Sequence, residues 1–209
     1  MVWRIGELLS DALQIHKTFG IIISMFPAIF LDRDGVIIEN VSTYIRSWED
    51  VRFIPKSLFA LKKAQTSPYK IILVTNQSAV GRGILPINLA WEINQRLVEV
   101  IQQAGGRVDG IYMCPHAPGD NCDCRKPKPG LILQAAGEQS LDLQRSILIG
   151  DALSDLLAGQ AAGIPRNILV RTGRGSEQEK LARLAELSSF QIFNDLADAV
   201  NAILDENPD

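Results

Sequence analysis

Ala28-Ile29-Phe30-Leu31-Asp32-Arg33-Asp34-Gly35-Val36 is the stretch whose reading decides the fold. Four apolar residues run straight into Asp-x-Asp-Gly, with no polar residue alternating among them. Such a run, closed by turn residues, reads as a strand buried on both faces, as at the centre of a parallel sheet. Asp32 and Asp34 then emerge at its C-terminal end, the edge where open α/β sheets place their ligands. Two residues apart in extended chain, the carboxylates point the same way. Left unpaired beside a buried strand they repel each other, which favours a bound cation. A polar strand end followed by an Asp-Gly turn would carry the same letters, so residues elsewhere in the chain must decide.

The pattern recurs. Lys70 to Asn76, Gly110 to Met113, Ser146 to Asp151 and Asn167 to Arg171 read as strands, with a short one at Gln191 to Phe193. Helical spacing falls between them. Pro55 opens a helix that ends near Ser67-Pro68, and Asn88 to Gln103 forms another, closed by Gly105-Gly106. Leu131 to Glu138, Asp155 to Ala162 and Ser176 to Leu187 follow, and Asn194 caps a last helix through Leu204. Glu39 to Phe53 lacks a period and reads as a loop or small hairpin; Gly81-Arg82-Gly83 reads as a flexible loop. Strands alternating with helices predict an α/β protein, a Rossmann-like parallel sheet with helices on both faces. No repeat or linker divides residues 25–209, which read as one domain.

Residues 1–24 stand apart as an N-terminal extension or a mis-set start. Ile5, Leu8, Leu9, Ala12, Ile15 and Phe19 have helical spacing, and the apolar run that follows is too short for a membrane span and contains Pro27. Glu7 and Asp11 precede that run and no small-residue cleavage site follows, which argues against a signal peptide. The chain has 209 residues, 46% of them hydrophobic, and a net charge of −3. Its pI of 5.5 leaves no global basic field for nucleic acid or an anionic membrane surface. The three cysteines fall in one short window, an odd count that argues for a reducing cytoplasm rather than a secreted disulfide scaffold. A monomer is expected.

Three strands thus end in chemistry-bearing groups: Asp32 and Asp34, Thr75 and Asn76, and Asp151. Arg125-Lys126-Pro127 adds a fourth. A parallel sheet brings such ends to one edge, where carboxylates suit Mg²⁺ while Thr75, Asn76 and Lys126 suit a phosphoryl group. Taken singly, Lys126 would read as a surface lysine and Asp151 as a helix N-cap. Taken in order, LDRDGV, VTNQS, RKPKPG and IGDALSD resemble the four motifs of the haloacid-dehalogenase-like (HAD-like) phosphohydrolases, from about Pro27 to near the C-terminus.

That resemblance implies roles. Asp32 is the nucleophile and forms an aspartyl-phosphate, and Asp34 is the general acid and then the base. Mg²⁺ is held by Asp32, the Asp34 backbone carbonyl and Asp151. Thr75 and the Asn76 backbone hold phosphoryl oxygens, and Lys126 neutralises charge. Asp155 orients Lys126 or water, or is simply a first-turn helix acid.

A second constellation is Cys114-x-His116 followed by Cys122-x-Cys124, four ligands within eleven positions. Cys₃His is a closed tetrahedral Zn²⁺ set with no position left for catalysis, so a structural site is expected; the tight spacing by itself leaves isolated thiols open. Arg125-Lys126 follow at once, so zinc would order the loop that aims the lysine.

The short intervals between motifs leave no room for a cap domain. Together with the Cys/His loop, LDRDG and TNQS resemble the family of D-glycero-D-manno-heptose 1,7-bisphosphate 7-phosphatases and histidinol-phosphate phosphatases. Ser78 leading into Gly81-Arg82-Gly83, CRKPKPG through Gly130, and LVRTG at 169–173 favour the heptose branch. The implied partner is a small phosphorylated sugar, with Asn76, Gln77, Ser78, Arg82 and Arg125 as binding residues. Arg82 and Arg125 are candidates for a second phosphate, although Arg82 also reads as a solvated loop charge. An inert zinc-stabilised binding module would not be expected to keep all five core motif residues. A nucleic-acid 3′-phosphatase is disfavoured by the acidic pI and the lack of a basic stripe.

Overall fold

A computed structural model describes residues 25–184, 187 and 189–206. The expected helix of the first 24 residues lies outside them. Six parallel strands form one sheet: β1 (Ala28–Leu31), β2 (Lys70–Asn76), β3 (Gly110–Cys114), β4 (Ile147–Gly150), β5 (Arg166–Val170) and β6 (Gln191–Phe193). Their order is β3-β2-β1-β4-β5-β6. The chain runs outward from β1 to one edge, returns to the opposite side of β1, and runs outward again. The reversal lies between β1 and β4, where an open sheet leaves its ligand crevice.

Among the described residues there are seven helices, α1 (Ser57–Ala64), α2 (Ser78–Gly81), α3 (Ile87–Gln103), α4 (Gly130–Gln139), α5 (Leu153–Ala161), α6 (Gly175–Leu184) and α7 (Leu196–Asp205); the first six lie in the crossovers that parallel strands require, and α7 follows β6. Alternation along the strands fills two cores. Ile29, Leu31, Ile71, Leu73, Ile147 and Ile149 pack with α1, α3 and α7, through Leu61, Leu97 and Val200 among others. Ala28, Phe30, Ile72, Val74 and Leu148 face the other way, against Leu131, Ile132 and Ala135 of α4 and Ala158 of α5. Helices therefore cover both faces, and strands with two buried faces read as continuous apolar runs. No helix among the described residues is long and apolar enough to cross a membrane.

Several boundaries differ from the sequence expectation. Pro55 precedes α1, because Lys56 takes a left-handed conformation (φ 66°) and only then does the helix begin. The last helix is capped by Asp195, whose carboxylate accepts the Asp198 N–H, while Asn194 bonds instead to Arg171 and Asp198 side chains. Leu187 lies in irregular chain beyond α6. Gly81-Arg82-Gly83 is no free loop: Gly81 ends the single turn of α2, and a Cβ there would collide with the Ala117 backbone. Residues 39–53 do form a small hairpin-like excursion, joined by an antiparallel bridge between Ile38 and Phe53 and a 3-10 turn at Trp48–Asp50.

Candidate active site

The four motifs converge on a cleft of ≈680 Å³ at the C-terminal edge of the sheet. Asp32 continues β1 by one residue, donating its backbone N–H to Ile149 O of β4 at 3.0 Å. Its carboxylate lies at the floor, 6% exposed. Lys126 arrives from the loop before α4 and is itself 4% exposed. Its ammonium spends all three donors, on Asp32 Oδ1, Asp155 Oδ1 and Val74 O, each at 2.7 Å. Burial alone would lower the lysine's proton affinity, but the carboxylates of Asp155 and Asp32 overcome it and the pKa is raised. Lys126 is therefore a fixed cation. Asp155 performs both tasks that its sequence position suggested, because its second oxygen accepts the Ala152 N–H at the start of α5.

Asp34 does not lie parallel to Asp32. Gly35 (φ 87°) turns the chain after it, and Asp34 Oδ2 accepts from Gln77 Nε2 at 2.9 Å, with Thr75 Oγ1 at 3.5 Å. Gln77 also donates to the Thr75 hydroxyl at 2.8 Å, so one amide ties the ends of β1 and β2 together. Ser78 lines the cleft beside it. Asn76 makes a reciprocal pair with the backbone of Lys126, donating to its carbonyl and accepting its N–H, each at 3.1 Å. The Asn76 side chain is thus committed to holding the lysine's backbone, which leaves its own main chain for any ligand.

Asp151, fully buried at the end of β4, approaches from the other side. Its Oδ2 accepts from Asn40 Nδ2 at 2.6 Å and from the Arg174 N–H at 2.9 Å. Cβ atoms on Gly35 or Gly173 would collide with that carboxylate, so both glycines are required by close approach. Carboxylate oxygens of Asp32, Asp151 and Asp155 lie within 4.8 Å of one another. Burial above all, and then the neighbouring carboxylates, push Asp32 up to about 8 against the opposing pull of Lys126. Asp151 is raised for the same two reasons. On the cleft floor the three carboxylates Asp32, Asp151 and Asp155 meet two cations, Lys126 and the half-exposed Arg174, which leaves the floor net negative, the wrong sign for a phosphate. A divalent cation on hard oxygen donors reverses that sign, so the donor set fits Mg²⁺.

The Cys/His loop forms a cluster next door. Cys114 closes β3 in register with Asn76, and its carbonyl accepts the Gln77 N–H at 2.8 Å. Sulfur separations are 3.7 Å (Cys114–Cys122) and 3.5 Å (Cys122–Cys124); His116 Nδ1 lies 3.6 Å from Cys114 and 3.2 Å from Cys124. Bonds of about 2.3 Å to sulfur and 2.0 Å to nitrogen imply tetrahedral edges of about 3.8 Å and 3.5 Å respectively. The cluster fits zinc, with His116 presenting Nδ1. Burial, aided by the Cys124 and Cys122 thiols, pushes the Cys114 thiol up to about 12, so this sulfur needs a cation beside it to ionise near neutral pH.

Of the expected binding residues, Asn76, Gln77, Ser78 and Arg125 line the cleft, and Arg82 does not. Arg82 is exposed at the end of α2, a turn that packs against the Cys/His-loop backbone and carries the side chain outward. Arg174 takes a place in the cleft that sequence reasoning did not give it, lying half-exposed and 3.4 Å from Asp151 Oδ1. It stands one residue past the LVRTG segment, the only sequence signal that pointed there. Asn40 likewise sits in a stretch without period.

The HAD-hydrolase-like family profile matches residues 123–199. D-glycero-beta-D-manno-heptose-1,7-bisphosphate 7-phosphatase of Helicobacter pylori strain J99 is 45% identical over 145 residues, covering 68% of this chain and 82% of that protein. The protein of that name from Photorhabdus laumondii is 38% identical over 185 residues, covering 85% and 95%. Among solved structures, D,D-heptose 1,7-bisphosphate phosphatase from B. bronchiseptica, complexed with magnesium and phosphate, superposes with a TM-score of 0.79 at 33% identity, over 86% of this chain and 99% of that one. Similarity of this extent reaches beyond the residues of the cleft to nearly the whole length of the relatives, and the chain belongs to the D-glycero-beta-D-manno-heptose-1,7-bisphosphate 7-phosphatase family of HAD-like hydrolases.

Proposed function

We propose that this phosphatase removes the 7-phosphate of D-glycero-β-D-manno-heptose 1,7-bisphosphate, using Mg²⁺ and an aspartyl-phosphate on Asp32. The observation that carries the reading is the meeting of Asp32, Lys126, Asp155 and Asp151 at one strand-end edge, with Asp34 beside them. Asp32 attacks phosphorus as the bond to the sugar oxygen breaks, and Asp34 gives that oxygen its proton. A water then attacks the phosphorus, Asp34 takes its proton, and inorganic phosphate leaves with Asp32 restored. Asp32, Asp151 and the Asp34 backbone carbonyl would hold Mg²⁺, which supplies positive charge to the phosphoryl oxygens. Lys126 stays charged throughout and stabilises the transition state without moving. Thr75 and the Asn76 backbone complete the phosphoryl cradle. Arg125 and Arg174, which both line the cleft, are the cations that can meet the second phosphate.

Phosphate release under Mg²⁺ should be faster from the β anomer of the 1,7-bisphosphate than from the α anomer or from histidinol phosphate, by at least about tenfold in kcat/KM. A preference for histidinol phosphate would overturn the substrate assignment while leaving the chemistry intact. Zinc at Cys114, His116, Cys122 and Cys124 belongs to the same proposal. The isolated protein should carry about one zinc per chain by elemental analysis. Cys124→Ser should lose it and lower kcat roughly ten- to hundredfold, because the loop that aims Lys126 loses its anchor. Full activity in zinc-free protein would remove zinc from the account.

A further inference from the structure

Arg33 occupies the middle of the Asp-x-Asp pair and is almost wholly buried, at 2% exposure. Strand alternation would carry its side chain away from its neighbours. Instead the guanidinium folds back on Asp34, with Nε 3.1 Å from Oδ2 and Nη2 3.0 Å from Oδ1. Nη1 donates the other way, to Asn94 Oδ1 at 2.7 Å. Asn94 has no exposure at all and lies on the buried stripe of α3, among Ala90, Ile93, Leu97 and Ile101. An asparagine in such a stripe is costly unless its amide is satisfied. Its Nδ2 reaches only a weak acceptor, Met113 Sδ at 3.5 Å. The strong bond that accounts for this polar residue in the core is the one to Arg33.

We infer that Arg33, braced by Asn94, is a positioning residue that fixes the direction of the Asp34 carboxylate for proton transfer. A two-nitrogen fork sets the plane of a carboxylate as a single ammonium cannot. Gln77 constrains the same carboxylate from the strand β2 side. A proton donor must lie within hydrogen-bond reach of the ester oxygen, and small misplacements are expensive in rate. The inference rests on the reading of Asp34 as acid and base.

Stopped-flow kinetics with p-nitrophenyl phosphate and Mg²⁺ test it on Arg33→Lys, Asn94→Leu and Asp34→Asn. Nitrophenolate leaves without a proton, so formation of the aspartyl-phosphate proceeds without Asp34, whereas its hydrolysis needs Asp34 to accept the proton of water. Arg33→Lys keeps the charge and loses the fork; Asn94→Leu keeps the apolar stripe and leaves Nη1 unbraced. Both should release one equivalent of nitrophenolate per enzyme at a rate within about threefold of wild type. The turnover that follows should be roughly ten- to hundredfold slower, with KM falling alongside kcat and kcat/KM little changed. Burst and turnover falling together, or turnover unchanged, would overturn the inference; Asn94→Leu decides it alone if Arg33→Lys does not fold. Asp34→Asn turning over at the wild-type rate would instead remove the acid–base reading itself, and the inference with it.

Discussion

Asp32→Asn is expected to abolish phosphate release from the heptose bisphosphate, by about 10⁴-fold or more in kcat, without destabilising the fold. The amide has nearly the shape of the carboxylate but cannot form the acyl phosphate. Its effect on stability is predictable from the cluster. Asp32 is one of three buried carboxylates within 4.8 Å, and burial holds its pKa far above that of an exposed aspartate. Removing that charge relieves the repulsion with Asp151 and Asp155, while Lys126 keeps Asp155 and Val74 O. The melting temperature without Mg²⁺ should therefore be unchanged or higher. Mass spectrometry after an acid quench should find phosphoenzyme in the wild type and none in the variant. Retained turnover would overturn the nucleophile assignment.

Lys126→Ala should do the opposite to stability. Asp32 and Asp155 are 6% and 2% exposed, and the lysine is the cation between them. Removing one partner of a buried ion pair costs about 3–5 kcal/mol because the charge left behind has no compensation. Here two charges are left. The Mg²⁺-free variant should melt well below the wild type, and Mg²⁺ should raise its melting temperature more than it raises the wild type's, since a divalent cation replaces part of what was lost. The rate should fall by about 10²–10³ even at saturating Mg²⁺, the usual penalty for losing one preorganised charge aimed at the transition state. A variant as stable as the wild type without Mg²⁺ would contradict the picture of an isolated, fully satisfied ammonium.

How much of this could be seen in the chain beforehand follows from what each signal encodes. β1, β2 and β4 were legible because a strand with two buried faces must be apolar throughout, and the polar residue that ends it marks the sheet edge. Convergence of Asp32, Thr75, Lys126 and Asp151 followed from parallel topology alone. The direction of individual side chains did not. Asn76 was expected to offer its backbone to a phosphoryl group, and that expectation gave no task to its amide, which is spent on a backbone fifty positions away. Nothing local announces that partner. The sequence placed Asn94 inside a helix but gave no reason for an amide on its buried stripe, since the reason is Arg33, sixty-one positions earlier. Arg82 and Arg174 sit in similar Gly-Arg-Gly settings. Their opposite fates depend on which way a short helix is pressed by a neighbouring loop, which composition does not encode.

The small excursion between β1 and α1 bears on how such a site changes over evolutionary time. Asn40, Val41, Ser42, Tyr44 and Ile45 form one wall of the cleft from a single contiguous segment, and Asn40 ties that segment to the acidic floor through Asp151. Asp32, Asp151 and Lys126 stand on the sheet edge and on the loop that follows the cysteine segment. This wall of the cleft and its acidic floor are thus housed in separable pieces of sequence. Exchange of residues 41–45 between relatives would reshape that wall while leaving Asp32, Asp34, Lys126 and Asp151 where they stand.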